Sequence, residues 1–169
     1  GSESFPISMK NDIYDFTSND NVIVLKQNRV DAIVLDLDGC TYNITFPSSV
    51  IKIENSELSA GFVFLLENGE IHIWGKPGSC RDTQNIWESI LNQLSSNHFI
   101  DVVTVSGYAF IALKTNGSII SWGLNAFGGD VSTHLEPNEN VQKLTVTNQR
   151  MSLLKHDGSV FSYGTNYLD

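Results

Sequence analysis

Residues 110–123 read FIALKTNGSIISWG, and this stretch decides the fold. Phe110 to Leu113 is apolar and partly β-branched, as in a buried strand. Asn116-Gly117 supplies the positive φ angles that a tight hairpin turn needs. Beyond the turn, Ile119, Ser121 and Gly123 alternate with Ile120 and Trp122, the pattern of a half-buried second strand. Trp122-Gly123 then sets a large ring into a core and lets the backbone turn sharply.

The same unit recurs along the chain. Gly39, Gly69, Gly117 and Gly158 each follow Asp or Asn, in AIVLDLDGCTYNI, FVFLLENGEIHIWG, FIALKTNGSIISWG and MSLLKHDGSVFSYG. Leu35, Leu65, Leu113 and Leu154 stand four positions before the glycine, and Thr41, Ile71, Ile119 and Val160 two after it. Ile44, Trp74, Trp122 and Tyr163 come five after it, followed by Gly75, Gly123 or Gly164 in all but the first copy. Upstream, Val22, Ile100 and Val141 each sit 17 positions before their glycine, with Val50 two places further out in the second copy. Each copy is thus a strand feeding a hairpin, and a unit this small must stack on its neighbours to bury both faces. The expected fold is all-β, a propeller-like array of four antiparallel blades. Residues 1–20 read as a cloning scar (Gly1-Ser2) and N-terminal extension. One domain, 21–169, divides at about 21–48, 49–98, 99–139 and 140–169. Trp74, Trp122 and Tyr163 are expected to be buried.

Between the second and third copies PGSCRDTQNIWESILNQLSSN breaks the β-pattern. Asp82 or Thr83 caps a predicted helix over 82–94 in which Ile86, Trp87, Ile90, Leu91 and Leu94 share one face, the seam by which it docks on the blades. Hydrophobic residues make up 41% and charged ones 17%, a globular rather than disordered balance. The 19 acidic and 10 basic side chains leave a net charge of −9 with no basic cluster, which argues against a nucleic-acid partner. No apolar run approaches the length that spans a bilayer, so no membrane insertion is expected. Cys40 and Cys80 make no disulfide framework, and their pairing stays open.

The third copy matches in full the motif Leu-x-x-Asp/Asn-Gly-x-Val/Ile-x-x-Trp-Gly, and LNAFGGD at 124–130 and GTNYLD at 164–169 follow as Gly-x-Asn-type linkers. The chain resembles the regulator of chromosome condensation repeat family, in a terse form closer to its bacterial members. The resemblance covers residue 21 onward, weakly in the first copy. It implies a β-propeller, usually of about seven blades of roughly fifty residues, and a binding platform. Four copies fall short of that number. The array is therefore expected to be incomplete, with open β-edges prone to self-association. Family members include an exchange factor for a small GTPase, an inhibitor of β-lactamases, and bacterial surface or effector proteins.

The expected function is a non-catalytic protein-interaction scaffold, a module of a bacterial surface or secreted virulence-type protein, with another protein as partner and no cofactor or metal. An exchange factor-like effector acting on a small GTPase is the first alternative. The second comes from AIVLDLDGCTYN at 32–43, which resembles the first motif of haloacid-dehalogenase phosphatases. There Asp36 would be nucleophile, Asp38 general acid/base and Mg²⁺ the charge neutraliser. That chemistry requires a doubly wound sheet with a helix after each strand, whereas this sequence places turns there. His72, His98, His134 and His156 have no zinc-ligand spacing. The Asn43-Ile44-Thr45 glycosylation triplet falls where a strand belongs. The partner-binding candidates lie in the loops: Phe127 and Tyr167 as aromatic anchors, with Asp130, Glu136 and Glu139 as acidic contacts for a basic partner.

Overall fold

The computed structural model describes residues 13–18, 22–35, 40–56, 61–74, 92–94, 98–105, 109–123, 140–146 and 150–164. These residues form thirteen strands in four antiparallel sheets. The first sheet is β1 (Ile13–Ser18), β2 (Val22–Lys26), β3 (Asp31–Leu35) and β4 (Thr41–Thr45), in that order. The second is β5 (Val50–Ser56), β6 (Gly61–Leu66) and β7 (Ile71–Trp74), and the third β8 (Phe99–Val105), β9 (Ala109–Lys114) and β10 (Ile119–Gly123). The fourth is β11 (Val141–Val146), β12 (Arg150–Lys155) and β13 (Val160–Gly164).

Registers follow the sequence alignment in the last three copies: Leu65 opposes Ile71, Leu113 opposes Ile119 and Leu154 opposes Val160. In each connecting turn the Asx side chain accepts a backbone N–H two residues on. Asn68 takes Glu70 at 3.1 Å, Asn116 takes Ser118 at 3.0 Å and Asp157 takes Ser159 at 2.8 Å. The next residue then carries φ of +83°, +80° and +85° at Gly69, Gly117 and Gly158.

The first sheet corrects the alignment of the first copy. Its equivalent turn lies between β2 and β3, where Asn28 accepts from Val30 at 3.1 Å and Arg29 holds φ at +57°. Each leading strand carries a β-bulge near its start: between Ile13 and Asp15, Val50 and Lys52, Phe99 and Asp101, and Val141 and Lys143. So β1, in the stretch read as an N-terminal extension, corresponds to β5, β8 and β11. Phe99, rather than Ile100, corresponds to Val50 and Val141. The turns at Arg29, Gly69, Gly117 and Gly158 stand 40, 48 and 41 residues apart, more even than the glycines alone. Asp38-Gly39 falls in sequence between β3 and β4, which pair antiparallel, and residues 36–39 lie outside the described residues.

Adjacent sheets are joined by a recurring pair of backbone hydrogen bonds. The N–H of the leading residue donates to the turn carbonyl of the preceding sheet: Val50 to Arg29 at 2.7 Å, Phe99 to Gly69 at 2.8 Å, and Val141 to Gly117 at 2.8 Å. The residue just before it accepts from its own sheet's turn: Ser49 from Glu67, His98 from Thr115 and Asn140 from His156, at 2.8, 3.0 and 3.1 Å. Backbone groups sheltered at the sheet junctions need partners, and this pairing supplies them.

Three apolar seams lie between successive sheets. Alternation along the central strand sends Phe62, Phe64 and Leu66 toward the first sheet, and Val63 and Leu65 toward the third. That is why β6 is buried along its whole length and reads as an unbroken apolar run. In β9, Phe110 and Ala112 face the second sheet, while Ala109, Ile111 and Leu113 face the fourth. Trp122 is 3% exposed and stacks on Phe110, ring centroids 5.5 Å apart. Trp74, expected to be buried, is half-buried in the first seam beside Tyr42 and Phe62. Tyr163 is described as backbone alone. Residues 92–94 are helical and set buried Leu94 into the seam of the second and third sheets. The rest of the helix expected over 82–94 lies outside the described residues.

Candidate functional site

The loop residues named from sequence, Phe127, Asp130, Glu136, Glu139 and Tyr167, lie outside the described residues, as do Asp36, Asp38 and Cys80. Cys40 is exposed just before β4. Asn43 and Thr45 are exposed on β4, which is a strand as expected, and the Thr45 hydroxyl donates to Asp31 at 2.8 Å. The phosphatase geometry is not met. β3 runs antiparallel to β4, Leu35 opposite Thr41, whereas that chemistry needs a parallel strand followed by a helix.

What the structure brings together is one end of the array, where the four turns and the starts of the leading strands meet. Joined by the inter-sheet hydrogen bonds, these segments form a continuous face. Its rim is polar: Asn28, Glu67, Asn68, Glu70, His98, Thr115, Asn116, Asn140, His156 and Asp157 are all exposed. His98 Nδ1 lies 3.1 Å from the Asn68 carbonyl oxygen, and His72 Nε2 lies 3.3 Å from Glu70. Hydrogen bonds from the Ser159 hydroxyl and amide hold the Asp157 carboxyl below the ordinary carboxylate range. Asn28 and Thr45 do the same for Asp31.

Two large apolar side chains break this polar surface. Ile51 is 50% exposed and Ile100 51% exposed. Each is the extra residue of its β-bulge, directly after the buried leading residue, so the two occupy one register position on the adjacent strands β5 and β8. A bulge turns a side chain out of the seam that strict alternation would have placed inward. Next to them an ion-pair network ties the second sheet to the third. Lys52 Nζ lies 2.8 Å from Asp101 and 3.3 Å from Glu54. Glu54 also accepts from the Thr104 amide at 3.2 Å and hydroxyl at 2.9 Å. The sequence contained the signal in the matched VIK and FID triplets at the heads of two leading strands, but an apolar residue there reads as core unless the bulge is known.

No protein-family model matches the sequence, and no curated protein matches it. Solved structures do resemble it. Prp20p from Saccharomyces cerevisiae superimposes with a TM-score of 0.58 at 17% identity, over 92% of this chain and 44% of that one. Yeast RCC1 (Prp20) bound to Kap60 gives 0.56 at 16%, over 92% and 42%. The ectodomain of the Physcomitrella patens receptor kinase CR4 gives 0.53 at 10%, over 90% and 41%. Likeness at this identity shows the fold: the four sheets are β-propeller blades. The chain spans less than half the length of each of these structures.

Proposed function

We propose that the chain is a protein-interaction scaffold that engages its partner through the turn end of the blades. The observation that carries this is the pair Ile51 and Ile100, exposed at the same bulge position of two neighbouring blades whose leading strands the Lys52–Glu54–Asp101 network ties together. An apolar centre inside a polar rim is the anatomy of an interface, and a rigid support keeps its ordering cost low. The net charge of −9 favours a basic protein over nucleic acid. The loop candidates Phe127, Asp130, Glu136, Glu139 and Tyr167 stay candidate contacts for the same partner, on the strength of the sequence alone. A bacterial surface or secreted virulence-type setting agrees with the terse repeat and acidic composition.

The test is a capture experiment followed by titration. The captured protein is purified and its Kd measured against the wild-type chain and an Ile51→Asp/Ile100→Asp variant of unchanged Tm. A loss of more than about tenfold supports this face. An unchanged Kd moves the function to other loops. The structure of Prp20p is reported together with its binding to Gsp1p and histones, which makes a small GTPase the specific rival partner. Faster release of a fluorescent nucleotide from a purified small GTPase would establish that rival.

A further inference from the structure

We infer that the turn of the second blade and the two isoleucines that flank it form one docking surface, for a partner segment that carries lysine or arginine between apolar side chains. The inference rests on the scaffold reading above and names the chemistry of the partner. Two independent series of repeat positions converge there. The bulge position holds Ile51, Ile100 and Gln142 in the second, third and fourth blades, and all three are exposed. Gln142 suits a solvated surface, whereas Ile51 and Ile100 leave two large apolar side chains in water. The positions on either side of the turn's central pair hold Glu67 and Glu70 in the second blade. Their counterparts in the other blades are Gln27 and Val30, Thr115 and Ser118, and His156 and Ser159, none of them acidic. The paired carboxylates and the paired isoleucines therefore coincide at one turn.

Main-chain bonds tie that turn to the strands bearing both isoleucines. The Glu67 N–H donates to the Ser49 carbonyl at 2.8 Å, two residues before Ile51, and Val50 opposes Leu66. From the third blade the Phe99 N–H, one residue before Ile100, donates to the Gly69 carbonyl at 2.8 Å, and His98 Nδ1 lies 3.1 Å from the Asn68 carbonyl oxygen. Within the turn, Asn68 Oδ1 accepts the Glu70 N–H at 3.1 Å. The carboxylates thus project from backbone already held from both blades, which keeps the ordering cost of binding low. The Glu67 side chain is exposed and, among the described residues, has no hydrogen bond or ion pair. Glu70 is exposed beside His72, whose Nε2 lies 3.3 Å away. A lysine or arginine matches this surface in both its parts. Its methylene stem covers an isoleucine while its charged head reaches a carboxylate, and apolar neighbours in the partner cover the rest. Exposed ion pairs alone contribute little, and the apolar cover is what removes water from around them.

The probes are short capped peptides in which one, two or three arginines separate two leucines, titrated into the isotope-labelled chain and followed by amide NMR shifts. At least one peptide should give saturable shifts centred on residues 49–51, 67–70 and 98–100. Glu67→Gln/Glu70→Gln should weaken that peptide by about fivefold or more, and Ile51→Ser/Ile100→Ser should do the same. Both variants change exposed positions and should keep the wild-type Tm. Citrulline in place of arginine keeps the shape, removes the charge and should bind as weakly as arginine does to the glutamine variant. Added salt should weaken binding to the wild-type chain and leave binding to the glutamine variant unchanged. Shifts centred elsewhere, no saturable shift with any of the peptides, or citrulline peptides that bind as well as arginine ones overturn the inference. The captured partner separates it from the scaffold reading. If Ile51→Asp/Ile100→Asp releases that partner and Glu67→Gln/Glu70→Gln does not, the face stands and the basic segment is refuted.

Discussion

Replacing the turn glycines one at a time separates backbone strain from blade contact. Gly117 and Gly158 hold nearly the same φ, +80° and +85°. Alanine in that left-handed region costs about 1–2 kcal/mol, offset by about 0.4–1 kcal/mol from a less flexible unfolded chain. Both variants therefore lose about 1 kcal/mol for conformation alone. At Gly117 the new methyl also sits 3.1 Å from Asn140 Cα and Val141 N, backbone atoms that cannot swing away. Relief requires the fourth blade to shift and the 2.8 Å bond from Val141 to the Gly117 carbonyl to stretch. Overpacking and a weakened hydrogen bond add about 2 kcal/mol. Gly117→Ala should lose about 3 kcal/mol against about 1 for Gly158→Ala, a Tm gap of about 4–8 °C for a domain of this size. Gly69→Ala should fall between them, since its closest neighbour at 3.2 Å is the movable His98 ring. Urea unfolding followed by tryptophan fluorescence measures all three. Equal losses at Gly117 and Gly158 would refute the view that the Gly117 turn is pressed against the next blade.

Trp122→Ala should cost about 3–5 kcal/mol in the same assay, as large-aromatic truncations in cores do. Trp122→Phe should cost much less, because among the described residues the buried indole N–H has no hydrogen-bond partner to lose. Lys52→Met removes the cation shared by Glu54 and Asp101, at a cost of about 1 kcal/mol that should shrink as salt is raised. Asp157 has its folded pKa below the ordinary 3.8, so its contribution is present above that value and lost as pH falls through the folded pKa. Asp157→Asn, the residue type of the sister turns at Asn68 and Asn116, should keep the turn and flatten the acid limb of a Tm-versus-pH curve.

Copies two to four were legible in the sequence because there propensity, turn chemistry and packing agree. Leu113, Asn116-Gly117 and Trp122 each sit where the strand, the turn and the seam require them. The first copy misled because two turns compete in it. Asp38-Gly39 has the stronger local signal, yet the repeat turn uses Asn28-Arg29, whose positive φ falls on a residue that rarely adopts it. Its hairpin is also one residue longer, so Leu25 opposes Ala32 and no ungapped alignment finds it. The leading strand Ile13–Ser18 is hidden because IYDFTS mixes polar and apolar residues and precedes a repeat turn that lacks the Asx-Gly pair. Ile51 and Ile100 were hidden by their own chemistry: an apolar residue in a strand announces burial, and only the bulge reverses it.

Each joint between blades repeats one main-chain hydrogen bond beside its apolar seam, and that repetition gives the blades a common point of attachment. The three leading-residue bonds at Val50, Phe99 and Val141 ask nothing of the side chain except that it not be proline. Even the glycine on the accepting side is dispensable, since Arg29 fills that role at the first joint. Selection acting on such an array can exchange seam-facing residues pairwise, or lengthen the segments between blades, without disturbing how one blade hangs on the next. The same recurrence offers an engineer a graft point just before Ser49, His98 or Asn140, where a foreign blade needs a free leading amide and apolar side chains that fill the seam.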